Sequence, residues 1–412
     1  MDLDRDRMQT EDEKRRKLCL LAVYAEAFLI ALTPWGAAAA LIVGVLLWLY
    51  RFIKSPDRHF VRTKVDKFIL AFFILSGLSV TGAMDPYFSF YNWYNLVGAY
   101  LLTFELVTQT VKTREEVKKI IIILGASAAL VILYGYYQFI FGINISDVAW
   151  VDANIYPELR KRVFSTWVNP NILAGYLNEV ICVLVVFLSG AQTKKERLYL
   201  GCFTAAAALC LAMTYARGAI FALGIILVCY GIMKDRRILY LAIVGGTVAL
   251  VLSPSLLERL TTIFTKIDTS SEMRLAIWEA TIWMIIEQPF LGIGWGMYWM
   301  VYRYYDFYIN DPNVTIYHAH NMFLNFPAEI GIPGAFAFFY VFFNAIRTGF
   351  KEGTDRVSDT VSIFSNGLAL ALVSVALGGL TDDVVFNIPT SMLLWFVIAL
   401  VMKNNSLNTL QK

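Results

Sequence analysis

About twelve apolar stretches, each near the length of a bilayer crossing, partition this 412-residue chain. They cover 18–33, 35–52, 67–84, 94–111, 119–142, 171–190, 197–214, 218–233, 237–253, 320–346, 358–380 and 386–402. A helix needs roughly 20 apolar residues to span the hydrocarbon core. Lipid offers no hydrogen bonds, so a spanning backbone must satisfy its own, as helices and closed barrels do. The runs are continuous rather than alternating, which selects helices. Composition agrees: 58% of residues are hydrophobic and 16% charged, against roughly 25% charged in soluble domains. The expected fold is all-α, a polytopic integral membrane protein with about 12 transmembrane helices.

Charge gives the orientation. Lys and Arg collect in cytoplasmic loops. Arg51, Lys54, Arg58, Arg62 and Lys64 follow the second span; Lys112, Arg114, Lys118 and Lys119 the fourth; Lys194, Lys195 and Arg197 the sixth. Lys234, Arg236 and Arg237 follow the eighth, Arg347, Lys351 and Arg356 the tenth, and Lys403 the twelfth. This alternation puts both termini in the cytoplasm. Residues 1–17 and 403–412 read as charged cytoplasmic tails around a single transmembrane domain, 18–402. No cleavable signal peptide, internal repeat, low-complexity segment or soluble domain is expected. The five cysteines fall in or beside apolar runs without metal spacing and read as small buried apolar residues.

Two outer loops depart from the charge pattern: 143–170, with Arg160, Lys161 and Arg162, and 254–319, the longest connection. Loops that long are usually functional or partly structured. The second contains "TSSEMRLAIWEATIWMIIEQP", in which Thr269 precedes Glu272 by three residues, a capping-box spacing. Charges cluster in the first turns and Ile, Trp and Met in the second half, as in a helix lying at the membrane surface. The glycines of "PFLGIGWG" permit a tight backbone; following a helix rather than a strand, they are no dinucleotide fingerprint.

Several residues could carry chemistry on the outer side. Arg217 opens a span in "TYARGAIFALG", and an arginine at membrane depth faces a polar cavity or snorkels. Arg274 sits on the surface helix, where stacking on Trp278 is the plain alternative; Arg162 also reads as the flank of a span. Three outward guanidinium groups suit phosphate, since each planar fork donates paired hydrogen bonds and keeps its charge. His318 and His320 stand at the mouth of the tenth span. With no third histidine or cysteine nearby, metal binding is not expected. A neutral imidazole acting as general base fits better, its pKa being near working pH, while His318 could simply cap the span. Glu179 should face the bundle interior, Asn169-Pro170-Asn171 shapes the start of the sixth span, and Asp382 and Asp383 read more readily as structural than catalytic.

The stretch His320-Asn321, nine residues, then Gly331-Ile332-Pro333-Gly334 resembles the signature of the bacterial O-antigen ligase family. "RLAIWEATIWMIIEQPFLGIGWGMY" and "TYARGAIFALG" are similar to its other landmarks. The likeness is strong from about Phe164 onward and topological before it; Ala335 stands where a threonine often follows the GxxG. The resemblance implies a GT-C-like membrane glycosyltransferase in the bacterial cytoplasmic (inner) membrane, its site facing the periplasm. It implies transfer of a glycan from undecaprenyl pyrophosphate to an acceptor hydroxyl such as that of lipid A-core, without metal or other cofactor. Arg217 and Arg274 would hold the donor pyrophosphate and His320 would position or deprotonate the acceptor, with His318, Arg162 and Asn321 as auxiliaries. The GxxG would let its helix pack closely on a neighbour. A polysaccharide polymerase joining lipid-linked repeat units shares every landmark. Relatives with the "NPNILAGYL" and "GIG" landmarks also carry a bicarbonate-transporter label; a transporter should show repeats and broken helices at the midplane.

Overall fold

The structure, a computed structural model, describes residues 2–55, 59–142, 162–252, 269–309, 315–355, 359–383, 385 and 387–409. Among these residues it is helical with no strand. The helices are α1 (Asp2–Leu29), α2 (Pro34–Lys54), α3 (Asp66–Ser79), α4 (Pro86–Thr110), α5 (Arg114–Phe141), α6 (Pro170–Gly190) and α7 (Lys194–Met213). They continue as α8 (Arg217–Met233), α9 (Arg236–Leu252), α10 (Thr269–Glu287), the single turn α11 (Tyr298–Val301), α12 (Met322–Asp355), α13 (Thr360–Gly378) and α14 (Ile388–Thr409).

Local sequence explains where helices start. Thr33, Asp85 and Asn169 each accept a first-turn N–H and are followed by proline. Thr113 with Glu116 and Thr193 with Glu196 form reciprocal capping boxes. These oxygens satisfy N–H groups that have no acceptor within the helix, and proline at the first position sacrifices none.

A helix lies over each of the twelve apolar stretches. Seven are long and apolar enough to cross a membrane. Others are short: α3 has 14 residues and α8 and α9 have 17 each. Large apolar side chains face outward, including Leu46 at 61% and Ile122 at 71% exposure. Three of the five cysteines are buried, whereas Cys202 and Cys229 face outward, so the expectation of buried thiols holds only in part.

The basic connections gather at one end of the bundle. There Arg51 pairs with Asp12 at 2.9 Å, Arg16 with Glu116 at 2.7 Å, and Arg114 with Asp359. The segments assigned to tails take part in this packing. Helix α1 begins at Asp2, and Arg16, only 4% exposed, reaches the carbonyl of Thr110. Helix α14 runs to Thr409, with Lys403 donating to the Thr108 carbonyl and Asn404 to Ser365.

The interior is aromatic. Trp395 is fully buried, with the rings of Phe72 at 6.0 Å and Tyr100 at 5.9 Å. In lipid such contacts stabilise by packing rather than by leaving water.

One helix departs from expectation in a way that shapes the site. Gly331, in α12, has φ 72° and ψ 165°, which interrupts the helix between Ile330 and Ile332. The GxxG is therefore a kink and not a smooth packing face. The turn after α10 is joined to that kink. Ile293 donates to the Ala328 carbonyl at 2.8 Å, Gly294 to Glu329 at 3.0 Å, and Ile332 to Pro289 at 2.8 Å. Pro333 has no N–H, and the interruption frees carbonyls that would otherwise lack donors. Gly292, Gly294 and Gly296 all have positive φ. A Cβ on Gly331 would sit 2.1 Å from the Phe290 carbonyl oxygen, so only glycine fits this crossing.

Candidate functional site

The opposite end of the bundle collects the α1–α2 turn, residues 162–169, the α7–α8 turn, the segment after α10, residues 315–321 and the α13–α14 loop. His320 lies in this layer. Its φ of 48° is left-handed, an uncommon state for a side chain larger than glycine. The surroundings hold it there. The Ala319 N–H donates to Asn325 Oδ1 at 3.0 Å, the Met322 N–H to the Gly379 carbonyl at 2.7 Å, and the Phe323 N–H to Asn321 Oδ1 at 2.9 Å. Asn321 thus serves as the cap that starts α12. Strained backbone of this kind concentrates at functional sites.

His320 Nδ1 lies 3.2 Å from Asp382 Oδ1, a residue 62 positions later. Burial by itself would raise the Asp382 pKa. The hydrogen bond from His320, with the nearness of His318 and of the Arg274 guanidinium, outweighs it and holds the carboxyl below its ordinary value. An ionised carboxylate only accepts, so Nδ1 carries the proton and Nε2 keeps its lone pair. His318 stands behind, its ring centroid 4.2 Å from that of His320. Its Nδ1 accepts the His320 backbone N–H at 3.2 Å, and burial next to His320 lowers its pKa to about 4. It is a neutral support for the left-handed turn.

The arginines approach the same layer. Arg217 is the first residue of α8, which follows Ala216 and has no side-chain cap. A Cβ on Gly218 would lie 3.2 Å from Thr381 Oγ1, so the first turn of α8 touches the loop that carries Asp382. Uncapped first-turn N–H groups beside a guanidinium form an anion-binding end. Arg274, half-buried on α10, is near enough to contribute to the Asp382 electrostatics, and it forms no salt bridge among the described residues. Arg162 has a different role. It donates to the Thr214 carbonyl and to Asn171 Oδ1, both at 2.7 Å, bracing the turn from which Arg217 starts. Arg160, Lys161 and most of loop 143–170 lie outside the described residues.

Asp382 alters the metal reading. His318, His320 and Asp382 offer ligand atoms within 4.8 Å of one another, a set that could share a divalent cation. The third ligand is neither a histidine nor a cysteine but an aspartate 62 residues from His320. Their mutual hydrogen bonds also satisfy the cluster without an ion. Sequence reasoning ranked Asp382 as structural and passed over Asn325 and Glu329. The aspartate's distance from His320 along the chain hides the pairing. Asn325 and Glu329 sit four residues apart on one face of α12, a spacing that could have drawn attention to them.

Surface helix α10 buries Ile277, Ala280 and Met284 under Tyr298, Tyr302 and Ala319, while Leu275 and Ile286 face outward. Apolar side chains on both faces fit a helix between protein and lipid.

Residues 202–339 match the family model described as O-Antigen ligase. Over these residues the chain is similar to the O-antigen ligase family. The O-antigen ligase match supports a ligase- or polymerase-type glycosyltransferase acting on lipid-linked glycan and acceptor in a membrane. It spans Arg217, Arg274, His318, His320 and Asn321 and ends before Asp382. No curated protein matches the chain.

Proposed function

We propose that this protein transfers a glycan from undecaprenyl pyrophosphate to an acceptor hydroxyl such as that of lipid A-core, at the outer face of the inner membrane. In this reading the helices over all twelve apolar stretches cross the membrane in a GT-C-like arrangement, with both termini cytoplasmic. The observation that carries it is the pairing of His320 with Asp382 beside the uncapped, arginine-bearing start of α8.

The chemistry follows from the groups present. Arg217, the first-turn N–H groups of α8 and Arg274 bind the pyrophosphate. The acceptor oxygen attacks the anomeric carbon as the bond from that carbon to the phosphate oxygen breaks. Undecaprenyl pyrophosphate leaves with the electron pair, its growing charge stabilised by the guanidinium groups. Removing one such fixed donor commonly costs about 3–4 kcal/mol of barrier lowering. The acceptor proton passes to His320 Nε2, and Asp382 stabilises the resulting imidazolium through Nδ1–H. A base opposite the leaving group inverts the anomeric centre, and the arginines supply positive charge without a metal.

The test is transfer by the purified chain from glycan-loaded undecaprenyl pyrophosphate. His320→Ala should lower the rate at least 100-fold, and Arg217→Ala and Arg274→Ala should weaken donor use. Full transfer by the histidine variant would remove His320 from the mechanism. Polymerase activity is the second reading, since the matched domain serves both reactions; supplying a second lipid-linked glycan as acceptor separates the two. The transporter reading is favoured by nothing here beyond its sequence landmarks. Helix α12 is broken, but at the kink near the site end, and ion uptake in glycan-free proteoliposomes would be needed to revive it.

A further inference from the structure

Beside the histidine loop lies a cavity of about 750 Å³. Its lining is mostly apolar, with Phe88, Leu96 and Ile388 among it, and a polar patch is set into one part. Trp295 and Trp299 contribute indole rings. Asn325, Glu329, Asp383 and Asn387 contribute amides and carboxylates; the first three are at least nine-tenths buried.

Much of this polar capacity is unused among the described residues. Trp295 is 4% exposed, and its Nε1–H has no acceptor. The side chain of Asn325 is bonded only through Oδ1, to Ala319, and that of Asn387 only through Oδ1, to Thr390, which leaves both amide nitrogens as available donors. Glu329 Oε2 accepts from Gly296, and Asp383 Oδ1 accepts from Val385. Asp383 has its second oxygen to offer.

A buried donor without an acceptor is costly, so these groups call for a ligand that both donates and accepts. A polyprenyl chain does neither. A pyranose does both: its hydroxyl edge matches amides and carboxylates, and its C–H face lies against an aromatic ring. The cavity is linked to the base through neighbouring residues. Asp383 directly follows Asp382, the partner of His320, and Asn325 holds the turn that carries His320. His320, Asp382, Arg217 and Arg274 are all outside the lining itself.

We propose that this cavity binds the terminal sugars of the acceptor glycan and presents their hydroxyl to His320. This assignment rests on the glycosyltransferase reading above and adds the location and chemistry of the acceptor subsite.

The experiment uses the full chain in nanodiscs. The probes are oligosaccharides released by mild acid from the source envelope, separated into those that were linked through pyrophosphate and the remainder. Binding is read from tryptophan emission and acceptor KM from the transfer assay. Wild-type and His320→Ala chains should bind the remainder fraction equally. Glu329→Gln, Trp299→Ala and Asn387→Asp should each weaken it at least tenfold and raise acceptor KM while donor KM stays fixed. Asn387→Asp keeps the oxygen that caps α14, so a change there reports the lost donor and not a damaged fold. Unchanged affinity in all three variants, no binding to wild type, or binding of the pyrophosphate-derived fraction alone overturns the assignment. Sugar binding without transfer by wild type would instead sink the glycosyltransferase reading and leave the subsite standing.

Discussion

His320 Nδ1 and Asp382 Oδ1 are 3.2 Å apart, joining the entrance of α12 to the loop between α13 and α14. Because Asp382 stays ionised, it selects the tautomer that leaves Nε2 free. Asp382→Asn should therefore cut kcat at least 100-fold while acceptor and donor KM change little. Steady-state kinetics with both substrates varied checks this. An Asp382→Asn enzyme at full kcat would show that the pair is only structural.

Acid should loosen this layer. His318 has its pKa depressed from 6.5 to about 4, so the folded chain resists a proton that the unfolded chain accepts. The stabilisation is complete above pH 6.5 and is lost as pH falls from there toward 4. Hydrogen-exchange protection of residues 315–325, taken relative to the intrinsic rate at each pH, should fall across that window, and His318→Asn should flatten the dependence. Protection independent of pH in the wild-type chain would contradict the burial of His318.

The kink makes a steric prediction. Gly331→Ala places a Cβ 2.1 Å from the Phe290 carbonyl oxygen at φ 72°. That backbone conformation, essentially confined to glycine, alone costs about 1–3 kcal/mol for another residue, and the clash adds to it. Gly334→Ala meets only the Ile330 side chain, at 3.1 Å, which can yield. Thermal unfolding in detergent should show a clear drop in Tm for the first variant and a small change for the second. Equal drops would restore the view of this motif as a packing face.

Metal removal should leave transfer intact. His318 Nδ1 is occupied by the His320 N–H and His320 Nδ1 by Asp382, so the cluster is satisfied by itself. Dialysis against EDTA should not alter the rate, whereas excess Zn²⁺, captured by the same three side chains, should inhibit. Loss of activity in EDTA with recovery on adding metal would make this a metal site.

Much of the fold was legible because lipid restricts the choices. Continuous apolar runs of membrane length can only be helices, and all twelve stretches are helical. The basic connections marked one end of the bundle for the same reason. Arg217, Arg274 and His320 stood out because charge and imidazole are rare in such a chain. What escaped notice depended on distance or on backbone shape. Asp382 is 62 residues from its partner. Gly331 and Gly334 have the spacing of a helix-packing motif, and only the Phe290 carbonyl pressed against Gly331 reveals a break. Arg162 appeared as one more outward cation until Thr214 and Asn171 gave it a bracing task. The charged ends looked like tails because burial of Arg16 needs Glu116, a hundred residues away.

The three backbone hydrogen bonds between the turn after α10 and the interrupted stretch of α12 have a mechanical consequence. They clasp the segment bearing Arg274 to the short half-helix bearing Asn325 and Glu329. If the arginine holds a charged lipid headgroup as proposed, its displacement is passed through these bonds to the walls of the proposed sugar cavity. Occupancy on one side can then be felt on the other without a separate hinge or lid.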